Sequence, residues 1–406
     1  MTHLHNDDIL VFTEQYWDAP KRIAHKMPLA WAKSGNRVLW VEQPPFPIED
    51  WQRPGQLGRS IRGHLQQQHK RLWVGAAPPA LPTMHGGGAF GNAMRAVHRP
   101  VLLRRVHGYM KQLGFQPTLV VFMQQAVRHD LLPAFLDATS VYYCHDLFGY
   151  GLASEAALAE EAVCCQRVDQ VWTTSQLQRQ RLAEYNAHTY HVPHAVDERW
   201  WDQHRRDRPE EFERIASPRA VFTGAYDTKK LDTELLVEIA RRRPALNLVF
   251  VGPLRIRPNE HSLIGRAKEM PNMHWLGGRS VEQLPGYIEG ADVLMLPYRL
   301  DEETSRASGL PLKFYEYMIS GTPVCSTPFT RFETDASGLI TVVSGADAWV
   351  KALDECIGEP GRSLAERREA LARQNTYKQR IQQQRLLLTA VTAREESTTD
   401  SGGAIL

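Results

Sequence analysis

The chain has 406 residues, 43% of them hydrophobic, with a formal net charge of +2. That is enough apolar material for two domains of about 100–200 residues each. No apolar run reaches about 18 residues, so a membrane-spanning helix is not expected, and five cysteines without a C-x-x-C pair argue against a disulfide framework or a zinc site.

The first apolar run, Asp8–Thr13, reads as a strand. A helix follows from about Lys21 to Lys33, with Gly35 placed for its C-cap, and Arg37–Glu42 is a second strand closed by Pro44-Pro45. Strand, helix and strand in this order imply a parallel sheet. Residues 51–70 are rich in Gln, Gly and Arg and read as an irregular excursion. Leu72–Val74 is a short strand, and the Pro- and Gly-rich stretch Pro78–Gly91 is a loop. Ala93–Leu113 is expected to be a basic amphipathic helix. Thr118–Met123, Val141–Cys144, Gln170–Thr173 and Tyr190–Val192 are further strands, with a helix over Glu155–Val168.

The acidic, polar opening is unlike a signal peptide, and with the cysteine usage it gives the expectation of a cytoplasmic protein. From Trp51 to His129 there is no Asp or Glu, while eleven Lys and Arg residues fall in the same window. Such a segment suits an anionic membrane surface or an acidic, lipid-linked substrate. It would equally serve as a solvated basic face. No nucleic-acid partner is expected.

A change of composition over Glu198–Ser217 marks an interdomain connection. The expected division is 1–200 for an N-terminal domain, 201–217 for a linker, and 218–393 for a C-terminal domain whose last helix packs back on the first. Residues 394–406 are expected as a disordered tail. Strands restart at Ala220–Thr223, Asn247–Val251, Met273–Leu276, Val293–Pro297 and Thr322–Ser326 with helices between them. That is the alternation of a doubly wound α/β domain. The fold class expected is therefore α/β, two Rossmann-like domains.

The segment Arg306–Pro323 carries the most chemistry. It reads as a loop, a helix and a stop, with Pro311 in the first turn and Gly321 and Pro323 ending it. Ser308, Gly309 and Leu310 then offer backbone N–H groups at a helix N-terminus, a phosphate site. Lys313 adds a positive charge in the first turn, and Glu316, one turn on along the same face, can accept hydrogen bonds from two ribose hydroxyls. The plain alternative is ordinary helix punctuation with a solvated ion pair.

Here the sequence resembles the nucleotide-binding half of the GT-B glycosyltransferases of family 4. The segments that carry the resemblance are Val221–Tyr226, Leu248–Pro253, Met273–Gly277, Ala291–Pro297 and Lys313–Val324, in the family's order and spacing. Arg37–Gln43, Val168–Ser175 and Val192–Asp197 extend it into the first half. Trp17 and Arg22-Ile23-Ala24-His25 make it similar to the teichuronic-acid and polysaccharide type. The resemblance implies a GT-B fold, two domains facing a central cleft, and transfer of a hexose from a nucleoside-diphosphate sugar, of the UDP or GDP type, to a glycan or lipid-linked acceptor. It implies Glu316 on the ribose and Lys313 on the diphosphate, with Ser308, Gly309 and Leu310 as backbone donors. Leu276 and Gly277 match the base-contacting loop, Thr223 and Gly224 face the cleft, and Lys229 or Lys230 stands for a phosphate-binding lysine. Two positions depart from the pattern: Ser308 where the family has Glu, and Ala225 where it frequently has Arg. Retention of stereochemistry is the family's outcome, and Ser308 leaves it open here.

In the first half, His145 and Asp146 follow a strand at the edge where ligands collect in such folds. Either can orient an acceptor hydroxyl or take its proton, or Asp146 can simply cap a turn. Gln124 and Gln125 end the preceding strand, with His129 and Asp130 nearby. Tyr16, Trp17 and Asp18 follow the first strand, where an acceptor could stack. His191 and His194 lack a third ligand at metal spacing, and no Asp-x-Asp motif is present. No metal or cofactor is expected, since a lysine and a helix N-terminus can neutralise the diphosphate. Two other readings stand beside a transferase: a sugar-nucleotide epimerase of the same fold, and an inert sugar-nucleotide-binding subunit of a polysaccharide assembly complex. A nicotinamide oxidoreductase is disfavoured, because no G-x-G-x-x-G follows the first strand of either half.

Overall fold

A computed structural model of the protein describes residues 4–19, 23–45, 54–80, 89–124, 126–145, 155–300, 310–329, 336, 338–358 and 362–400; the side chains of 54, 258 and 391–400 lie outside that description. Two units emerge, residues 1–193 with 377–406, and residues 194–376.

The first unit runs β1 (Asp8–Thr13), α1 (Ile23–Lys33), β2 (Arg37–Val41), α2 (Pro54–Arg62), β3 (Leu65–His69), β4 (Leu72–Gly75), α3 (Ala89–Leu113), β5 (Leu119–Met123), a 3-10 helix over Ala126–Ala134, β6 (Thr139–Cys144), α4 (Glu155–Arg167), β7 (Gln170–Thr173), α5 (Gln176–Leu182) and β8 (Thr189–His191). Its sheet has the order β3-β4-β2-β1-β5-β6-β7-β8. All pairs are parallel except β3 with β4. The inner strands β1, β5 and β7 are buried along their whole length, as expected of a sheet with helices on both faces.

The second unit runs α6 (Glu198–His204), a 3-10 turn at Glu210–Glu213, β9 (Arg219–Thr223), β10 (Tyr226–Asp227), α7 (Thr233–Arg242), β11 (Asn247–Val251), β12 (Leu254–Arg255), α8 (His261–Glu269), β13 (Met273–Gly277), α9 (Leu284–Glu289), β14 (Val293–Leu296), α10 (Lys313–Ser320), β15 (Val324–Ser326), β16 (Thr341–Val342), α11 (Ala346–Ile357) and α12 (Arg362–Arg373). The main sheet, β13-β11-β9-β14-β15-β16, is wholly parallel. Counted within the unit this is the order 3-2-1-4-5-6, the doubly wound arrangement. Apolar clusters cover both of its faces, one around Phe222, Phe250 and Trp349, the other around Val221, Tyr317 and Met318.

The chain's last helix, α13 (Tyr377–Asp400), belongs to the first unit. Trp31 Nε1 donates to Gln384 Oε1 at 2.9 Å and Gln383 Nε2 to the His191 carbonyl at 2.8 Å. Residues 394–400, within the stretch expected as a disordered tail, instead continue α13, and 401–406 lie outside the described residues.

Two sequence expectations need correction. Residues 51–70 are not irregular where described: they form α2 and β3. The buried Ser60 hydroxyl donates to the Ala77 carbonyl at 2.5 Å, and Arg105 NH1 to the Ser60 carbonyl at 2.7 Å. These tertiary bonds override the poor helix propensity of two glycines. Residues 201–217 are not a bare linker either. They include most of α6, with Trp201 fully buried, and the 3-10 turn, all within the second unit.

Candidate functional site

In the second sheet the strand order reverses between β9 and β14. Ligands of doubly wound folds bind outside the carboxyl ends of the strands at such a reversal. Thr223 ends β9 with Gly224 just past it, and Pro297 and Tyr298 follow β14. Lys313, the first residue of α10, reaches across this place. Its Nζ stands 3.6 Å from the centroid of the Phe222 ring and 5.9 Å from that of Tyr298. Gly224 makes room for it: a Cβ built there would lie 2.9 Å from Lys313 Nζ, and the glycine's φ of +109° disfavours any other residue. Gly252 packs behind, where a Cβ would meet the Gly224 carbonyl oxygen at 2.0 Å.

The electrostatics of Lys313 are unusual. Two aromatic faces attract it, yet it has no carboxylate or carbonyl in hydrogen-bonding distance among the described residues. Burial pushes its pKa down to about 7; Glu316 opposes that shift and Lys230 adds to it. A lysine desolvated in this way is short of negative charge. The N-terminus of α10 carries no side-chain cap: its N-cap is Leu312, which makes no capping hydrogen bond. The helix therefore adds its positive end to the same place. Tyr317 fixes the helix, its hydroxyl accepting the Thr223 backbone N–H at 2.8 Å. At the other end Gly321 adopts φ +73°, and the buried Arg368 donates to its carbonyl at 3.0 Å.

The residues named from the sequence fall around this centre unequally. Thr223 is buried and bonded to Tyr317, and Glu316 is only 7% exposed on the first turn of α10. Lys230 is exposed, yet its charge is felt at Lys313. Gly277 is exposed with φ +72° and pairs with Val251 where β11 and β13 slip register; Leu276 packs partly into the core. Leu310 is buried in that core. Ser308 and Gly309 lie outside the described residues. Phe222, Tyr298 and Tyr317 were not singled out from the sequence. Phe222 reads there as one more apolar residue of a buried strand, and only the fold shows its ring beneath a lysine.

In the first sheet the reversal lies between β1 and β5. Gln124, just past β5, has φ +57° and is buried. Its side-chain carbonyl accepts the His145 backbone N–H at 3.0 Å, so that oxygen holds the loop after β6. His145 is 5% exposed, and its own carbonyl accepts from the Thr174 hydroxyl at 3.0 Å. Asp146 and Gln125 lie outside the described residues. Tyr16 is buried, its carbonyl accepting from His25 Nε2 at 2.9 Å, while Trp17 is half-buried with its ring edge-on to Trp40, centroids 5.3 Å apart. His129 and Asp130 are engaged structurally, His129 with Glu160 at 2.9 Å and Asp130 with Arg128 at 3.2 Å. Both ring nitrogens of His191 are occupied, by the Thr174 carbonyl and by Gln176.

The basic segment is also more balanced than its own sequence suggests. Arg59 pairs with Asp18, Arg95 with Glu160 and Arg128 with Asp130, all carboxylates from outside residues 51–129. Arg71 and Arg105 donate to backbone carbonyls. No helix among the described residues is long and apolar enough to cross a membrane, and all five cysteines are free and buried.

Residues 217–359 match the family model described as Glycosyl transferases group 1. Over 98 residues the chain is 29% identical to TuaH of Bacillus subtilis strain 168, whose name assigns it to teichuronic acid biosynthesis as a glycosyltransferase; the match spans 24% of each chain. Among solved structures it is similar to HepE from Anabaena, determined in complex with UDP and glucose, with a TM-score of 0.64 at 15% identity over 94% of this chain and 100% of that one. An α,α-trehalose-phosphate synthase (UDP-forming) from Burkholderia vietnamiensis gives 0.64 at 11% identity, covering 93% and 95%. Likenesses at such identities establish the architecture, two Rossmann-like domains of the GT-B kind.

Proposed function

We propose that this chain, whose residues 217–359 match the group 1 glycosyl transferases and whose fold is of the GT-B kind, transfers a hexose from a nucleoside-diphosphate sugar to a hydroxyl of a glycan or lipid-linked acceptor. One observation supports this most: a lysine with no anionic partner among the described residues, held between two rings and a glycine at the strand reversal of the second unit. A diphosphate is the group that would satisfy it. As the glycosidic bond breaks, negative charge grows on the leaving diphosphate. Lys313 and the N-terminus of α10 lie where they would stabilise it without a metal ion. Glu316, on the same face of the helix, would accept from the ribose hydroxyls. Lys313 also offers a physical answer to Ala225, since it brings a cation to the first strand-helix turn, where the family's arginine is missing.

In the first unit, His145 is the group we assign to the acceptor hydroxyl, as a proton acceptor or as an orienting contact. The acceptor's carrier would be a lipid at an anionic membrane face. Helix α3 leaves Phe90, Val97 and Val101 exposed while it also carries Arg104 and Lys111. Co-sedimentation with vesicles containing phosphatidylglycerol tests that part, and binding equal to that of neutral vesicles would dismiss it.

The deciding experiment is release of nucleoside diphosphate from a panel of UDP- and GDP-sugars, with and without a membrane lipid extract, for wild type and Glu316→Ala. Lipid-stimulated release that Glu316→Ala abolishes is the expected result. Tight binding without release under any acceptor condition would favour an inert sugar-nucleotide-binding subunit, and no binding at all would overturn the proposal.

A further inference from the structure

The main sheet of the second unit opens where its strand order reverses. β9 pairs with β11 as far as Thr223 and Val251, but with β14 only as far as Val221 and Leu294. The end of β9 therefore runs on without a strand along that edge. The N–H of Gly224 is turned to β11, where the Val251 carbonyl accepts it at 2.8 Å. Successive N–H groups of an extended chain point to opposite sides, so the N–H of Thr223 faces the gap left by β14. Thr223 is only 2% exposed, and a buried N–H without an acceptor is costly.

Tyr317 supplies the acceptor. Its ring is fully buried, and its hydroxyl takes the Thr223 N–H at 2.8 Å and lies 3.3 Å from the Thr223 hydroxyl. A side chain of α10 thus stands in for the departed strand. Lys313 lies one turn earlier on the same face of the helix. Tyr317 packs in the apolar cluster on one face of the sheet, whereas the Phe222 ring beneath the ammonium belongs to the cluster on the other. The lysine side chain therefore crosses the end of β9, and it crosses at Gly224, where a Cβ would stand 2.9 Å from Nζ. A lysine stem is long and flexible, so where its ammonium rests depends on where its helix is held. The Tyr317–Thr223 bond holds this face of α10 to the end of β9.

We propose that Tyr317 is a positioning residue for the donor's diphosphate: its hydroxyl, in the place of the missing strand, sets α10 against the turn after β9 and so places Lys313 Nζ over Gly224. The proposal rests on reading the chain as a glycosyltransferase whose diphosphate meets Lys313. It adds a residue that acts on the ligand through that lysine.

Calorimetric titration with UDP and GDP at pH 7.5 and pH 9 tests it. The proteins are the full-length wild type, Tyr317→Phe, Lys313→Met, the double variant of these two, and Gly345→Ala. Phenylalanine keeps the buried ring and loses the acceptor. Gly345→Ala strains a positive-φ backbone of the same unit where the added Cβ meets nothing within 4 Å, so it reports what lost stability alone does. Burial lowers the Lys313 pKa to about 7, with Glu316 and Lys230 as the charged groups acting on it. An ammonium no longer held in place regains water and, with it, its ordinary charge. Tyr317→Phe should therefore bind about tenfold more weakly than wild type at pH 7.5, the worth of one charge-assisted contact, with a smaller deficit at pH 9. The double variant should bind within about twofold of Lys313→Met, because both changes act through one ammonium. Gly345→Ala should keep the wild-type affinity at both pH values. The positioning role is overturned if Tyr317→Phe binds as wild type does, if the effects of Tyr317→Phe and Lys313→Met simply multiply, or if Gly345→Ala loses as much affinity. A wild type that binds neither nucleotide would sink the donor site itself, and this role with it.

Discussion

The side-chain carbonyl of Gln124 accepts the backbone N–H of His145 at 3.0 Å, joining the carboxyl ends of β5 and β6 across the crevice edge of the first sheet. Gln124 makes this bond from a left-handed backbone, φ +57°, that costs a residue with a Cβ about 1–2 kcal/mol. Strain of this kind persists where surrounding contacts enforce it, and it gathers at functional sites. Gln124→Ala keeps the strain and removes the acceptor. It should lose about 1–3 kcal/mol of stability through the orphaned His145 amide. Gln124→Gly loses the same bond but relaxes the backbone, and should be the more stable of the two by about 1 kcal/mol. Urea denaturation measures both, and an alanine variant as stable as wild type would refute the account.

On the proposed function, Lys313 should make nucleotide binding sensitive to pH. In the free protein its pKa of about 7 leaves it largely neutral at higher pH, with Lys230 and Glu316 as the charged groups that act on it. A bound diphosphate favours the ammonium form and raises that pKa. Binding above pH 7 therefore takes up a proton, and affinity falls as pH rises, by up to about tenfold per pH unit. Calorimetric titration with UDP and GDP between pH 7.5 and 9 avoids the second phosphate ionisation near pH 6. Lys313→Met should bind more weakly with no slope, and Lys313→Arg should lose the slope. An unchanged slope in either variant would refute the assignment.

Gly224 and Gly345 both have positive φ, +109° and +80°, but only Gly224 has Lys313 against it. Gly345→Ala should cost about 1–3 kcal/mol of stability, the strain of its glycine-only backbone alone (φ +80°, ψ 151°), and leave nucleotide affinity intact. Gly224→Ala should cost stability and also displace the ammonium, reducing UDP or GDP affinity by at least about tenfold, the worth of a charge-assisted contact. Equal affinities in the two variants would show that the closeness of Gly224 and Lys313 has no bearing on the ligand.

Glu161 is fully buried beneath the first sheet, where the Tyr142 hydroxyl donates to Oε1 at 2.7 Å and Arg181 meets Oε2 at 2.6 Å. Arg181→Met leaves that carboxylate without its counter-ion and should destabilise the protein by about 3–5 kcal/mol. Adding Glu161→Gln should restore a large part of the loss, because the orphaned charge goes with it. Thermal and urea unfolding of the single and double variants decide it, and a double variant no better than Arg181→Met alone would refute the reading.

The sequence makes the framework easier to read than the sites. Strands such as Leu119–Met123 and Asn247–Val251 are short apolar runs bounded by turn residues, and a buried parallel strand has no other need. Residues 54–69 gave no such signal. Gly55 and Gly58 weaken α2, and β3 is the polar Leu-Gln-Gln-Gln-His because it is an edge strand with side chains in water. What builds them is remote: Ser60 with Ala77, Arg59 with Asp18, Tyr109 beneath Gly75. At the proposed donor site, helical spacing alone puts Lys313 and Glu316 on one face of α10. The lysine's environment was not legible, since Phe222 reaches it from β9 and Tyr298 from the segment after β14.

The placement of α13 has a consequence for how the protein is made. Trp31 is bonded to Gln384, 353 residues further along, and Arg385 Nε donates to the carbonyl of Leu4 at 2.9 Å. During synthesis, residues 1–193 leave the ribosome first, yet these bonds must wait until almost the whole chain has followed. The unit made of residues 194–376 holds all of its own strands and helices before that point. The half translated later thus has its core segments complete first, and the earlier half is sealed by a helix that follows both.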